Sequence, residues 1–189
     1  MVEKMYLFVC LGNIGKEYDF TRHNFGFIVA DKIIEEYGIN NHETKFDADI
    51  YSGKIASEKV LIAKPRTFMN NSGIAVSKIK NFYKIDPKNI FVFHDDMDLE
   101  LCRVKLKFSG GNAGHNGLKS INANIGTNYY RIRLGIGKPN FKNDVINFVV
   151  GKFSKDELIR VEEIVTKISD NIPRLFEENK DNFLSHIYM

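Results

Sequence analysis

Two neighbouring segments of the chain carry the residue types that acid–base chemistry and anion binding require. His94-Asp95-Asp96-Met97-Asp98 ends an apolar run that begins at Phe91, and Gly110-Gly111-Asn112-Ala113-Gly114-His115-Asn116-Gly117 follows soon after. An acidic cluster beside a turn rich in glycine and amide side chains suits a polyanionic ligand with many hydrogen-bonding groups. We therefore expect the functional site to lie between Phe91 and Leu118.

His23 is the candidate general base. It follows the loop at 12–15 and falls in the first turn of a predicted helix; an ordinary imidazole pKa of about 6.5 suits proton abstraction near neutral pH. A carboxylate such as Asp95 would hold the other ring nitrogen and stabilise the imidazolium formed as water attacks. The alternative is a histidine that only caps the helix or lies on the surface. The same alternative applies to His94 and His115.

Amide side chains are unusually frequent in the predicted loops. Because a neutral amide both donates and accepts hydrogen bonds, it suits peptide groups and ribose hydroxyls and can stabilise an oxyanion. The sequence lacks the Gly-x-Ser-x-Gly and phosphate-loop motifs, so the usual signatures of serine hydrolases and nucleotide hydrolases are missing. The loop asparagines are Asn13, Asn24, Asn70, Asn71, Asn112 and Asn116.

The basic residues are concentrated in one part of the chain. Eight of the 27 basic residues and none of the 24 acidic ones lie between Leu101 and Asn143, so the remainder carries 19 basic residues against 24 acidic ones. This asymmetry predicts one basic face, which would attract a nucleic-acid backbone and make binding depend on salt. The alternative is a chance distribution of surface lysines. The eight residues are Arg103, Lys105, Lys107, Lys119, Arg131, Arg133, Lys138 and Lys142.

Alternating strands and helices must position these residues. Apolar runs predict strands at Met5–Leu11, Ile50–Ile55, Lys59–Ala63, Ile90–Phe93, Val104–Phe108 and Tyr130–Ile136. Apolar periodicity predicts helices from Thr21 to Gly38, from Asn71 or Ser72 to Tyr83, from Gly117 to Asn124, and from Ser154 to Glu178. We therefore predict an α/β fold: a single three-layer domain over 1–189 whose sheet, because of the hairpin at 50–63, is not purely parallel. Ligands bind beyond the carboxyl ends of such strands, where Asn13 and Asp95 fall.

The composition limits which kinds of protein this chain can be. With 189 residues, 43% of them hydrophobic, and only four prolines, the chain is long and apolar enough to fold around a full core. Its two cysteines, Cys10 and Cys102, are too few for a disulfide framework and lack zinc-ligand spacing. Neither a signal-peptide pattern nor a membrane-length apolar run is present. We expect a cytoplasmic protein that does not enter a membrane.

Five motifs, in this order along the chain, resemble those of the bacterial type of peptidyl-tRNA hydrolase. Their order and spacing agree over nearly the whole chain. The motifs are Gly12-Asn13-Ile14-Gly15 with Thr21-Arg22-His23-Asn24-Phe25-Gly26, Lys64-Pro65-Arg66-Thr67-Phe68-Met69-Asn70-Asn71-Ser72-Gly73, His94-Asp95-Asp96-Met97-Asp98-Leu99, Gly114-His115-Asn116-Gly117-Leu118 and Arg131-Ile132-Arg133-Leu134-Gly135-Ile136-Gly137-Lys138-Pro139.

The resemblance implies a monomeric enzyme with a mixed twisted sheet flanked by helices. It would cleave the ester between a peptide and the 3′ ribose of tRNA, without a metal or another cofactor. His23 would be the general base and Asp95 its orienting partner, with Asn13 or Asn116 as a candidate oxyanion donor. The remaining residues implied to bind substrate are Tyr18, Met69, Asn70 and Asn116 for the peptide and terminal nucleotide, and Lys107 and Arg133, with Lys105 of the same basic strand, for tRNA phosphate.

Three positions depart from the family pattern, and all lie in predicted loops. Ile14 stands where the family usually has proline, Cys102 where it commonly has glycine, and Ser109 opens a stretch that is commonly three glycines. The positions assigned to proton transfer all match.

Two other classes of function remain open from the sequence. A metal-dependent phosphoesterase or nuclease would use His94, Asp95, Asp96 and Asp98 as ligands while the basic face holds RNA. A non-catalytic RNA-binding module would explain the charge asymmetry but give His23 and the loop asparagines no role. Chelator sensitivity and the chemical nature of the products distinguish these possibilities.

Overall fold

A seven-stranded mixed sheet lies at the centre of the computed structural model, which describes residues 3–189. Its strands are β1 (Tyr6–Cys10), β2 (Asn41–Lys45), β3 (Ala48–Ile55), β4 (Glu58–Pro65), β5 (Ile90–Asp96), β6 (Val104–Phe108) and β7 (Tyr130–Gly135). The spatial order is β2-β3-β4-β1-β5-β7-β6. Strands β4, β1, β5 and β7 run parallel, whereas β2, β3 and β6 are antiparallel to their neighbours. The sheet is therefore mixed, as predicted.

Helices cover both faces of this sheet. They are α1 (Phe25–Glu36), α2 (Ser72–Tyr83), α3 (Asn116–Ile125), α4 (Val145–Val150), α5 (Lys155–Asp170) and α6 (Asp181–Ile187). Helices α1, α5 and α6 share one apolar core, and α2 and α3 share the core on the opposite face. The predicted three-layer α/β architecture is confirmed.

The central strand β1 shows why the apolar runs of the sequence become buried strands. Tyr6 and Phe8 point into one core, and Leu7 and Val9 point into the other, because successive side chains of a strand alternate between faces. All four are at most 2% exposed. A strand covered on both sides must be apolar at every position, which is the pattern that the sequence shows.

The predicted strands and the hairpin between β3 and β4 are confirmed, but β2 was not predicted. Its segment, Asn41-His42-Glu43-Thr44-Lys45, is polar and mostly exposed. It is held by pairing with β3 and by Thr44 and His42, whose side chains bond to Asp49 at 2.8 and 3.1 Å. Local apolar patterning gives no sign of a strand stabilised in this way.

The prediction of one long helix from Ser154 to Glu178 is wrong at its C-terminal end. The helix begins as expected, since Ser154 and Glu157 form a reciprocal capping box. It ends at Asp170, and a 3-10 turn at Ile172–Phe176 contains Pro173, which has no backbone N–H to donate within a continuing helix. The short helix α4 was also not predicted.

Cys102 and Ser109, which stand where glycine was expected, both adopt positive φ angles, 65° and 63°. The loops on either side of β6 therefore keep a glycine-like backbone with other residues in place. Among residues 3–189, none of the helices has both the length and the apolar character needed to cross a membrane.

Candidate active site

A cleft of about 480 Å³ opens where the carboxyl ends of β1 and β5 meet the Gly-rich loop before α3. This is the edge at which parallel strands of an α/β sheet present ligand-binding loops. Nine of the ten residues predicted for the site line the cleft. The tenth, Lys105, lies two residues before Lys107 in β6 and does not line it. The nine are Asn13, Tyr18, His23, Met69, Asn70, Asp95, Lys107, Asn116 and Arg133.

His23 and Asp95 form a hydrogen-bonded pair at the base of this cleft. The distance from His23 Nδ1 to Asp95 Oδ2 is 2.8 Å, and the two side chains are 11% and 2% exposed. Because an ionised carboxylate only accepts hydrogen bonds, Nδ1 carries the proton and Nε2 keeps a free lone pair. The sequence-based pairing of these two residues therefore matches the geometry that a general base requires.

The turn that carries His23 is held tightly against the sheet. The residue lies in a 3-10 turn, Arg22–Asn24, directly before α1, and not in the first turn of that helix as expected. Thr21, where the helix was predicted to begin, does not cap it, since its hydroxyl donates to the Tyr18 carbonyl at 2.8 Å. A Cβ at Gly26 would lie 2.5 Å from Leu11 N and 2.6 Å from Phe93 O. Only glycine therefore allows the start of α1 to approach β1 and β5 this closely.

His115 is a second partner of Asp95, which the sequence did not reveal. Its Nε2 lies 2.8 Å from Asp95 Oδ1, while its Nδ1 accepts from the backbone N–H groups of Gly117 and Leu118 at 3.1 and 3.3 Å. These two obligate donors fix the tautomer, so that Nε2 carries the proton and donates to the carboxylate. His115 thus caps α3 and orients Asp95 at the same time. Its place just before a predicted helix was the available signal.

Electrostatics around Asp95 set the protonation states of the site. Burial by itself would raise the pKa of Asp95, but His23 and His115 hold that pKa well below its usual range. Burial lowers the pKa of His23, yet the charge and hydrogen bond of Asp95 outweigh it and leave the pKa above its ordinary value. Asp95 therefore remains a carboxylate, and the imidazolium of His23 is stabilised when it forms.

The third histidine, His94, has a different environment. Its Nδ1 donates to the backbone carbonyl of Asp95 at 2.8 Å, and burial, with a contribution from His115, lowers its pKa to about 4. The ring is therefore neutral at ordinary pH. Its Nε2 has no hydrogen-bond partner within residues 3–189.

Asn13 is oriented so that its amide nitrogen is available as a donor. Its Oδ1 accepts from the Met69 N–H at 2.8 Å, and its backbone exchanges two hydrogen bonds with the Asn24 side chain at 2.8 and 2.9 Å. Because Oδ1 is engaged, Nδ2 is the group left to meet a ligand. Asn24, which is 2% exposed, therefore has a structural role.

The walls of the cleft combine amides with apolar side chains. Asn70 and Asn116 are exposed residues that line the cleft, and Tyr18 packs edge-on against Phe68 with ring centroids 6.4 Å apart. Phe68 was not predicted as a site residue, and it is 49% exposed. Helix α4 adds a further apolar wall that was also missed, although its run of aliphatic residues was a visible signal. Its lining residues are Val145, Ile146, Val149 and Val150.

The basic residues of β6 and β7 near the cleft differ from one another in their contacts. Lys107 and Arg133 line it, and Arg133 Nε also pairs with Asp96 at 2.7 Å. Arg131, expected on an exposed basic face, is only 2% exposed and donates to the carbonyls of Gly110 and Gly111. It therefore holds the Gly-rich loop in place and does not contribute an exposed cation.

The alternative metal site is not assembled. Within residues 3–189, the one cluster of three or more potential metal ligands is His23, Asp95 and His115, not the expected set with His94, Asp96 and Asp98. That cluster offers a poor donor set, because Nε2 of His115 carries a proton while its Nδ1 caps α3. A metal would have to displace this proton and break the cap.

A family model described as Peptidyl-tRNA hydrolase matches residues 7–188. Among curated relatives, a protein named peptidyl-tRNA hydrolase from Aliarcobacter butzleri is 51% identical over 161 residues, covering 85% of this chain and 86% of the relative. One of the same name from Rickettsia bellii is 44% identical over 182 residues, covering 96% and 98%. The crystal structure of peptidyl-tRNA hydrolase from Acinetobacter baumannii superposes with a TM-score of 0.92 at 34% identity, covering 99% of this chain and 96% of that one.

Proposed function

The chain belongs to the peptidyl-tRNA hydrolase family, and we propose that its His23–Asp95 pair activates water to cleave the ester between a peptide and the 3′ ribose of tRNA. The reaction itself is that of the family and releases free tRNA and peptide. The observation that carries the assignment of roles is the 2.8 Å contact between His23 and Asp95 inside a cleft that also reaches the basic strand β6.

The chemistry follows from the protonation states of the site. His23 Nε2 takes a proton from water while Nδ1 donates to Asp95, and the hydroxide adds to the ester carbonyl. The tetrahedral oxyanion accepts a hydrogen bond from an amide donor, for which Asn13 Nδ2 is the oriented candidate. The imidazolium then returns its proton to the ribose oxygen as that oxygen leaves. His23 therefore carries out both proton transfers of the reaction.

The remaining cleft residues are assigned to substrate binding. Asn70 and Asn116 line the cleft with amides that suit peptide groups and ribose hydroxyls, and Tyr18 and Met69 provide apolar surface there. An amide-lined site would favour an N-acylated substrate over one with a free ammonium, which would be left unpaired there. The cleft therefore selects peptidyl-tRNA over aminoacyl-tRNA.

We assign the tRNA phosphates to Lys105, Lys107 and Arg133. Lys105 and Arg133 are directly opposite each other in the β6–β7 pairing, and Lys107 is two residues farther along β6, on the same face. The basic surface formed by these residues would bind the RNA backbone while the acceptor end enters the cleft.

The enzyme is further proposed to work as a single catalytic domain and as a monomer, without a metal or another cofactor. Because peptidyl-tRNA arises during translation, we place the activity in the cytoplasm. The protonated Nε2 of His115 supports the proposal that water is activated by His23 alone.

The decisive experiment is incubation of the protein with N-acetyl-aminoacyl-tRNA and with the unacetylated form, each with and without a chelator. We expect release of free tRNA from the acetylated substrate alone, at a rate that the chelator does not change. His23→Ala should lower turnover by about 10² to 10⁴ while leaving tRNA affinity nearly unchanged. His42→Ala is the matched control, because His42 lies on β2 and bonds to Asp49.

Other outcomes would contradict the proposal in distinguishable ways. Full turnover by His23→Ala would remove its assigned role, and equal cleavage of both substrates would remove the selectivity argument. Chelator-sensitive cleavage with phosphodiester products would indicate the phosphoesterase. Tight tRNA binding without hydrolysis would indicate an RNA-binding module.

A further inference from the structure

The edge strand β6 carries cations beyond the active-site cleft. Lys105 and Lys107 occupy alternate positions of β6, so their side chains leave the strand on the same face, and Arg103 directly precedes the strand. Lys105 and Lys107, two positions apart in the strand, are separated by about 7 Å along it. Lys107 lines the cleft, whereas Arg103 and Lys105 line a second groove. The row therefore leads from the active site to a separate surface.

This second groove has a volume of about 370 Å³ and lies between β6 and the C-terminal helix α6. No acidic residue lines it, and within residues 3–189 neither Arg103 nor Lys105 forms an ion pair. Its lining residues are Arg103, Val104, Lys105, Leu106, Leu184, Ser185 and Tyr188. The groove thus presents two uncompensated cations on an apolar floor.

Tyr188 fixes the geometry at the far end of the row. Its hydroxyl accepts from the Val104 N–H at 2.6 Å and donates to the Val104 carbonyl at 3.0 Å, replacing the missing neighbour strand at this point of the edge. The guanidinium of Arg103 lies over the Tyr188 ring, 4.9 Å from its centroid. This cation–π contact restrains Arg103 while leaving its N–H donors free for another partner.

We propose that this groove binds phosphates of the RNA backbone as it leaves the cleft, with Arg103 as a phosphate-binding residue and Tyr188 as its positioning residue. The inference rests on the proposed function, because it extends the surface formed by Lys105, Lys107 and Arg133. Three cations follow one another along this edge of the sheet, as a chain of phosphates would require, and a guanidinium can bind a phosphate through two parallel hydrogen bonds. Lysines on an exposed edge strand also discourage aggregation, but that role needs neither Arg103 nor its restraint by Tyr188.

The test compares Arg103→Gln with Lys54→Gln, an exposed lysine of β3 on a distant part of the sheet. Affinity for uncharged full-length tRNA is measured over a range of salt concentrations. We expect Arg103→Gln to reduce the slope of log K against log salt by about 0.7 to 0.9, the contribution of one phosphate contact, and Lys54→Gln to leave it unchanged. Turnover of a short substrate, an N-acetylaminoacyl ester of a CCA trinucleotide, should be the same in both variants.

Two Tyr188 variants test the positioning role. Tyr188→Phe keeps the ring and should retain the wild-type slope, whereas Tyr188→Ala should reproduce the effect of Arg103→Gln. In the double variant the two effects should not add, since both remove the same contact. Thermal unfolding of each variant separates this effect from loss of structure.

The outcomes distinguish this inference from the function on which it rests. If Arg103→Gln keeps the wild-type salt slope, the groove does not bind phosphate, even if the wild type hydrolyses N-acetyl-aminoacyl-tRNA. A slope changed by Tyr188→Ala but not by Arg103→Gln would show that Tyr188 only stabilises the edge of the sheet. If the wild type binds tRNA but cleaves no ester, the proposed function fails, whereas the salt slopes still decide the groove.

Discussion

At the scale of single residues, one carboxylate organises the site. Asp95 accepts from His23 through one oxygen and from His115 through the other, both at 2.8 Å. His115 cannot rotate without losing its hydrogen bonds to the start of α3, so the carboxylate is held in one orientation. Asp95 Oδ2 therefore points at His23 in the absence of substrate, which is the arrangement that the proposed proton transfer requires.

Asp95→Asn should change the pH dependence of the reaction as well as its rate. A general base must be neutral, and Asp95 raises the pKa of His23, so the wild-type kcat/KM should increase with pH through a value above about 6.5. Loss of the negative charge removes this stabilisation of the imidazolium. We expect the acidic limb of the kcat/KM profile to move to lower pH while kcat falls by about 10² or more.

Asp156→Asn is the control for this substitution, because Asp156 is exposed in the first turn of α5. Its pH profile should coincide with that of the wild type. An unchanged acidic limb in Asp95→Asn would contradict the claim that Asp95 sets the pKa of His23.

At the scale of secondary structure elements, the site depends on how closely α1 approaches the sheet. The 3-10 turn at Arg22–Asn24 carries His23, and β5 carries Asp95 at its carboxyl end. These elements meet because Gly26 places the first turn of α1 against the backbone of β1 and β5. Arg22 holds the turn from the other side, bonding to the Phe148 carbonyl of α4 and to Glu157 of α5.

Gly26→Ala should therefore impair both stability and catalysis. The new methyl group would meet backbone atoms at 2.5 to 2.6 Å, which cannot move aside as a flexible side chain can. We expect the free energy of unfolding, measured by urea titration, to fall by about 1 to 3 kcal/mol. The fraction that remains folded should have a lower kcat, because a shift of α1 carries His23 away from Asp95.

Gly53→Ala in β3 is the matched control. A Cβ there would lie 3.2 Å from a side-chain carbon of Ile39, a contact that a small adjustment relieves. Its kcat should equal that of the wild type. Wild-type stability in Gly26→Ala would show that the helix start has more room than these distances imply.

At the scale of the whole molecule, we propose that the distribution of charge guides RNA to the cleft. The stretch from Leu101 to Asn143 carries eight basic residues and no acid, although the formal net charge is only +3. In the fold, β6 and β7 place part of this charge beside the active site. The cations do not contribute equally, since Arg131 is buried and the charge of Arg133 is partly offset by its ion pair with Asp96.

Lys107→Ala is the clean test of this surface, because no ion pair within residues 3–189 depends on Lys107. Arg133→Ala would in addition leave the Asp96 carboxylate unpaired. We expect Lys107→Ala to weaken tRNA binding and to flatten the plot of log K against log salt by about 0.7 to 0.9, as measured by filter binding. Its kcat at saturating substrate should stay close to that of the wild type.

Lys54→Ala provides the comparison, since Lys54 is equally basic but belongs to β3, on the far side of β1 from β6. Equal salt dependence in the two lysine variants would mean that only net charge matters, and that β6 does not contact the RNA.

The sequence alone determined the features that depend on nearby residues. Apolar runs predicted the buried strands, because a strand covered on both faces must be apolar throughout. The motifs identified His23 and Asp95, and the charge count identified the basic segment that contains β6 and β7. Helix ends were less predictable. The apolar spacing of the last predicted helix continues to Ile172, but α5 ends at Asp170 and Pro173 lies in the 3-10 turn that follows.

Only the tertiary structure decided which of these residues meet. His23 and Asp95 are 72 positions apart, and Asp95 and His115 are 20 apart, so their contacts depend on strand order and on the close approach of α1. The buried role of Arg131 and the contact of Tyr188 with Val104, 84 positions away, have the same origin. Local patterns record the environment of a side chain but not the identity of its distant neighbours, because those neighbours are chosen by the packing of whole elements.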